Sequence, residues 1–157
     1  MPIKTDYENR INTLNNHPRV NGYISPYTET KVSPIDGLGL FSARDIHKNE
    51  VVAAWGGHIL TKDEISDLPD EISYNYALEI YPGFYLAETQ RKELDRSDFI
   101  NHSCDPNCKI VNKLIMITKR KIHKGEELTC DFSAKNNKGN KIICTCNSKK
   151  CKKSVYF

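Results

Sequence analysis

The sequence predicts a mainly β domain assembled from several short strands. Three observations predict it: apolar runs of strand length, tight-turn dipeptides between them, and no alternation of strand-like with helix-like segments. The last point excludes a doubly wound nucleotide-binding fold, which needs a helix between successive parallel strands. At 157 residues the chain suffices for one domain with a real core and is too short for two well-buried ones.

Each element has its own warrant. Tyr7, Ile11 and Leu14 share one helical face behind a capping box of Thr5 and Glu8, so a short amphipathic helix is expected there. From His17 to Pro34 the chain holds Pro18, Pro26 and Pro34 and few apolar residues, which predicts irregular or extended backbone. Leu38 to Ser42 and Val51 to Trp55 are apolar runs of strand length, joined by the polar stretch Arg44 to Glu50; Trp55 is expected in the core. Thr61-x-x-Glu64 is a second capping box, opening a short helix that must stop near Pro69. Tyr74, Tyr76, Leu78 and Ile80 alternate as a strand does, and Pro82-Gly83 can return the chain through Phe84 to Ala87. Ile110-Val111 and Leu114 to Ile117 flank Asn112-Lys113 as a hairpin would. Lys124-Gly125 turns into a strand from Glu127 to Phe132, and the polar stretch Ser133 to Lys141 reads as a mobile loop. No internal repeat is present.

The net charge of +3 is small, and the lysines of Lys138 to Lys153 more than account for the surplus, so no direct nucleic-acid partner is expected. Lys149-Lys150 and Lys152-Lys153 read as a solvated basic rim. No apolar run approaches the roughly 18–20 residues that span a bilayer, and Met1 to Asn16 lacks a signal peptide's apolar centre. An intracellular, reducing location is expected, with no membrane partner; a nuclear address and export by another route stay open. Six cysteines without a secretory signal read as thiols or metal ligands, although their even number allows disulfides on arithmetic alone.

Spacing sharpens that reading. Cys144-Thr-Cys146-x4-Cys151 brings three thiols within eight residues, and cysteines two apart are poor disulfide partners. Zinc takes four such ligands in a tetrahedron, so a fourth must come from Cys104, Cys108 or Cys130. A second cluster, Phe99-Ile-Asn101-His102-Ser-Cys104-Asp-Pro-Asn107, runs an apolar pair into polar side chains suited to satisfying backbone groups in an irregular buried segment.

Asp36-Gly-Leu-Gly39-Leu-Phe41, Asn101-His-Ser-Cys104-x-Pro-Asn107 and Gly125-Glu-Glu-Leu-Thr129-x-Asp131 together resemble, in order and spacing, the motifs of SET-domain protein-lysine methyltransferases. The terminal cysteines resemble that family's post-SET zinc segment, and Gly56-Gly-His-Ile59 with Asp98 its small free-standing members. The resemblance implies a mainly β SET-domain fold of several small sheets with a threaded C-terminal segment. It divides the chain into a flanking segment over 1–26 with the short helix, a SET domain over 27–134 and a post-SET zinc segment over 135–157. S-adenosylmethionine and a structural zinc are the implied cofactors. Leu38, Gly39 and Leu40 would line the cofactor pocket, Asn101 and His102 would hydrogen-bond the cofactor, and Tyr74 would stand near it or the lysine channel. Cys104 would complete the zinc site with Cys144, Cys146 and Cys151; Tyr156-Phe157 reads equally as an apolar lid or a frayed end.

The implied reaction transfers methyl groups to the side-chain amine of lysine in a protein or peptide, histones among the candidates. The family's Asp-Tyr ending is Asp131-Phe132 here, so the ring stays and a hydroxyl is lost. Cys130 occupies the position linked to how many methyls are added. A working methyltransferase is therefore the first reading, and a catalytically weak SET module that binds cofactor or peptide the alternative. Substrate, methyl number and oligomeric state have no signature in the chain, though a dimer is compatible with it.

Overall fold

The computed structural model describes residues 12–70, 72, 77–135 and 141–156, with 134 and 135 in backbone only. Thr5, Tyr7, Glu8, Ile11, Tyr74, Tyr76 and Phe157 lie outside the described residues. The strands run β1 Arg19–Val20, β2 Tyr23–Ile24, β3 Thr28–Val32, β4 Leu38–Ser42, β5 Val51–Ala54, β6 Gly57–Thr61, β7 Leu78–Tyr81, β8 Phe84–Ala87, β9 Asn101–His102, β10 Cys108–Val111, β11 Ile115–Thr118, β12 Glu127–Cys130, β13 Lys141–Ile143 and β14 Ser154–Tyr156. A short helix, α1, spans Lys62–Ser66, and three-residue to four-residue 3-10 turns cover Arg91–Glu93, Arg96–Phe99 and Phe132–Lys135. Mainly β architecture of small sheets is what the short apolar runs imply.

The chain divides into two compact units. The first takes residues 1–22 and 56–94 and holds an antiparallel sheet in the order β1-β6-β8-β7. Leu14, Leu60, Leu68, Ile72, Ala77 and Ala87 form its buried core. Thr61 caps α1 as expected: its hydroxyl accepts from the Glu64 N–H while Glu64 accepts from the Thr61 N–H at 2.8 Å. Also in this unit, His58, Glu88 and Glu93 offer ligand atoms within 4.8 Å of one another. Arg19 already holds Glu88 through a two-pronged guanidinium contact, and Thr89 and Gln90 donate to Glu93, so protein donors occupy both carboxylates.

The second unit takes 23–55 and 95–157. It contains the sheets β10-β11-β5-β2 and β3-β4-β12-β9 and the pair β13-β14. Trp55 is buried, as expected, with its ring nitrogen donating to the Ser97 carbonyl at 3.1 Å. The β10–β11 hairpin turns through Asn112, Lys113 and Leu114, one residue more than the expected Asn112-Lys113 loop, with Asn112 and Lys113 both at positive φ (48° and 63°). β12 ends at Cys130, two residues before the expected Phe132. The reason is local: Asp131 Oδ1 accepts from the Ser133 N–H at 3.0 Å and hydroxyl at 2.7 Å, which starts a 3-10 turn.

Candidate cofactor and metal site

The site is set by one change of strand partner. β12 pairs antiparallel with β4 at Glu127 and Leu128, then parallel with β9 at Thr129 and Cys130. The Ser103 N–H extends the parallel ladder to the Cys130 carbonyl at 3.0 Å. β4 and β9 therefore diverge around β12, with Leu38-Gly39 on one side and Asn101-His102 on the other. Leu38 is 44% exposed, whereas Leu40 is fully buried between Thr30 of β3 and Leu128 of β12.

Asn101 bridges the divergence. Its Nδ2 donates to the carbonyls of Asp36 and Leu38, each at 3.0 Å, and to Glu127 Oε1 at 2.9 Å. Asn107 acts as a substitute strand for β12: Nδ2 donates to the Glu127 carbonyl at 2.8 Å, and Oδ1 accepts from the Thr129 N–H at 3.0 Å. Asn107 thus satisfies backbone groups, the part expected of the Asn101–Asn107 cluster. Glu127 and Ser33 are residues that sequence reasoning missed; Glu127 stands inside a recognised motif, which marks it as a candidate, and Ser33 carries no signal.

His102 is buried, and its two ring nitrogens have separate partners. The Phe132 main-chain N–H donates to Nδ1 at 3.0 Å, which makes Nδ1 an acceptor and puts the proton on Nε2. Nε2 lies 3.2 Å from the Cys104 sulfur and donates to it. Asp131 is farther from Nδ1, at 3.7 Å, so the Phe132 contact decides the tautomer. The Phe132 ring meets the His102 ring edge-on at 5.5 Å.

The sulfurs of Cys104, Cys144, Cys146 and Cys151 all lie within 4.8 Å of one another. Zn–S bonds of about 2.3 Å imply sulfurs about 3.8 Å apart in a tetrahedron, and the Cys104–Cys144 separation is 3.6 Å. The set can hold one zinc. Main-chain donors already support anionic sulfur: the Lys152 N–H reaches Cys104 at 3.3 Å and the Cys104 N–H reaches Cys146 at 3.5 Å. Burial opposes ionisation of Cys146, but the N–H groups of Cys104 and Ser148 outweigh it and bring its thiol down to about 6. Burial pushes the Cys144 thiol up to about 12. Cys108 and Cys130 stand apart from the cluster, fully buried, and burial likewise lifts Cys108 to about 12. Of the three candidates for the fourth sulfur, the fold thus brings Cys104.

The post-SET-like tail is tied back to the β3–β4 connection, where the Thr145 hydroxyl donates to the Ile35 carbonyl at 2.7 Å. Tyr156 is exposed, with the Lys141 ammonium 5.7 Å from its ring centre. Among the described residues no helix is long and apolar enough to cross a membrane.

A protein-family model described as the SET domain matches residues 37–133. The chain is 35% identical over 133 residues to the histone-lysine N-methyltransferase trr of Drosophila melanogaster, covering 77% of this chain and 5% of that protein. It is 32% identical over 133 residues to the H3 lysine-4 specific histone-lysine N-methyltransferase of Schizosaccharomyces pombe, covering 76% and 14%. Against the H3 lysine-36 specific enzyme of Candida albicans the identity is 29% over 141 residues, covering 80% and 16%. The chain thus spans a small part of the length of these curated relatives.

Proposed function

The chain belongs to the SET-domain family, and on that premise we propose that it transfers methyl groups from S-adenosylmethionine to the side-chain amine of lysine in a protein substrate. The observation that carries the reading is the meeting, in one unit, of the family's Leu38-Gly39 and Asn101-His102 segments beside a four-sulfur cluster. The relatives' names, all histone-lysine methyltransferases, favour an active enzyme over a binding module and make a histone tail the first substrate to try.

Leu38, Gly39, Asn101 and His102 would hold S-adenosylmethionine, which supplies a methyl group activated on a sulfonium. The site suits a group held largely by main chain, because two strand ends face each other there with an exposed leucine alongside. Cys104, Cys144, Cys146 and Cys151 would hold zinc in a structural role, tying the tail to the β9–β10 connection.

The target amine must be neutral, and a free lysine titrates near pH 10.4. Apolar walls lower that value by penalising the charged form. Phe132 would contribute such surface, an aromatic ring held against His102, whereas Cys130 is fully buried and presents none. Holding the amine in line within near-attack distance supplies much of the remaining acceleration. The test is transfer of labelled methyl to a panel of histone tails and lysine-rich proteins. Label on lysine supports the reading; cofactor binding without label on any lysine overturns it.

A further inference from the structure

We propose that Glu127 is a positioning residue for the cofactor edge, and that Gly39 is glycine because the Glu127 carboxylate occupies the space of its missing side chain. This deepens the function proposed above and rests on it only where cofactor affinity is read.

The geometry is specific. A Cβ built on Gly39 would lie 2.3 Å from Glu127 Oε1, 2.9 Å from its Cδ and 3.0 Å from Ser33 Cβ. The carboxylate in that space accepts from two donors. Ser33 Oγ lies 2.8 and 2.9 Å from its two oxygens, and Asn101 Nδ2 lies 2.9 Å from Oε1. Ser33 Oγ in turn accepts from the Ile35 N–H at 2.9 Å, which shapes the turn leading into β4. One carboxylate on β12 therefore fixes the β3–β4 connection, the start of β4 and the Asn101 side chain of β9. Those are the strand ends between which the cofactor would sit. Hydrogen bonds to a charged acceptor are the strong ones, so a shared carboxylate is a suitable fastener where the β4–β12 ladder stops.

Glu127 is a flexible side chain, so a methyl at residue 39 would displace it rather than break the backbone. Gly39→Ala should then reproduce the effect of Glu127→Ala, because both empty the same set of bonds. The experiment is a double-mutant cycle of Gly39→Ala and Glu127→Ala, with Glu127→Gln as the conservative control. Two readouts are taken: amide hydrogen exchange of residues 35–39 and 101–102 without cofactor, and S-adenosylmethionine affinity by calorimetry. Each single variant is expected to speed exchange in both segments while leaving β10–β11 unchanged, and to weaken cofactor binding roughly tenfold. The double variant is expected to be no worse than the worse single, and Glu127→Gln, which keeps an acceptor, to recover most of the loss. Additive losses, or a Glu127→Ala variant with native exchange, overturn the proposal. A native chain that binds no S-adenosylmethionine overturns the proposed function instead, and the exchange data still decide the role of Glu127.

Discussion

Phe132 meets its neighbours through two groups that a tyrosine would keep. Its main-chain N–H is bonded to His102, and its ring edge packs on the same imidazole. Phe132→Tyr therefore adds a hydroxyl without removing a contact, and stability should change by no more than about 0.5 kcal/mol. One preorganised polar contact is worth on the order of 10²–10³ in rate in other enzymes. Methyl transfer by Phe132→Tyr should rise by roughly tenfold or more; an unchanged rate would mean that some other group already does the hydroxyl's work. The cysteines divide just as sharply. Cys104→Ser should abolish stoichiometric zinc in the purified protein, because one of four converging sulfurs is lost. Cys108→Ala should retain zinc and cost about 1–2 kcal/mol for its small cavity. Equal zinc content in the two variants would remove Cys104 from the metal site.

Elements show what their own residues dictate and what only distant partners decide. The β10–β11 turn places Lys113 at φ 63°, where a side chain is strained and glycine is not. Lys113→Gly removes that strain and should stabilise the fold by roughly 0.5–1 kcal/mol, read from the denaturation midpoint at constant slope. A loss of stability would mean that the Lys113 side chain contributes more than the turn costs. This hairpin, β4 and the Thr61 cap were legible because adjacent residues carry the signal: apolar runs, turn dipeptides, an x-x-Glu spacing. β3 was less so. Thr28–Val32 reads Thr-Glu-Thr-Lys-Val, mostly polar, and becomes a strand because β4 supplies its partner along one edge. The candidate site divides on the same line. Its cysteines and the Asn-His pair stand out as motifs, whereas the Ser33–Glu127 contact joins residues 94 apart and has no local trace.

Across the second unit, the four-sulfur cluster links the segments that local propensity would leave loose. Cys104 and Cys144 are 40 residues apart, so an ion shared between them closes a long loop and restricts the unfolded chain. Metal binding free energy at such a site is folding free energy. The hydrogen bonds extend the effect beyond the ligands. Cys104 accepts from His102 Nε2, and His102 Nδ1 accepts from the Phe132 N–H, so one imidazole connects the sulfur cluster to the Asp131-Phe132 turn. On the other side, Thr145 connects the tail to the connection before β4. Stripping zinc with a chelator should therefore lower the unfolding midpoint and speed amide exchange first at residues 144–155, then at 101–104 and 132, ahead of β10–β11. Cofactor affinity should fall at least about tenfold, as expected when two strand ends must be reordered on binding, and should return when zinc is restored. If the fully stripped protein instead keeps native exchange at Asn101 and His102, then β12 pairing and the Asn107 contacts hold that strand without the metal, and the sulfur cluster serves the tail alone.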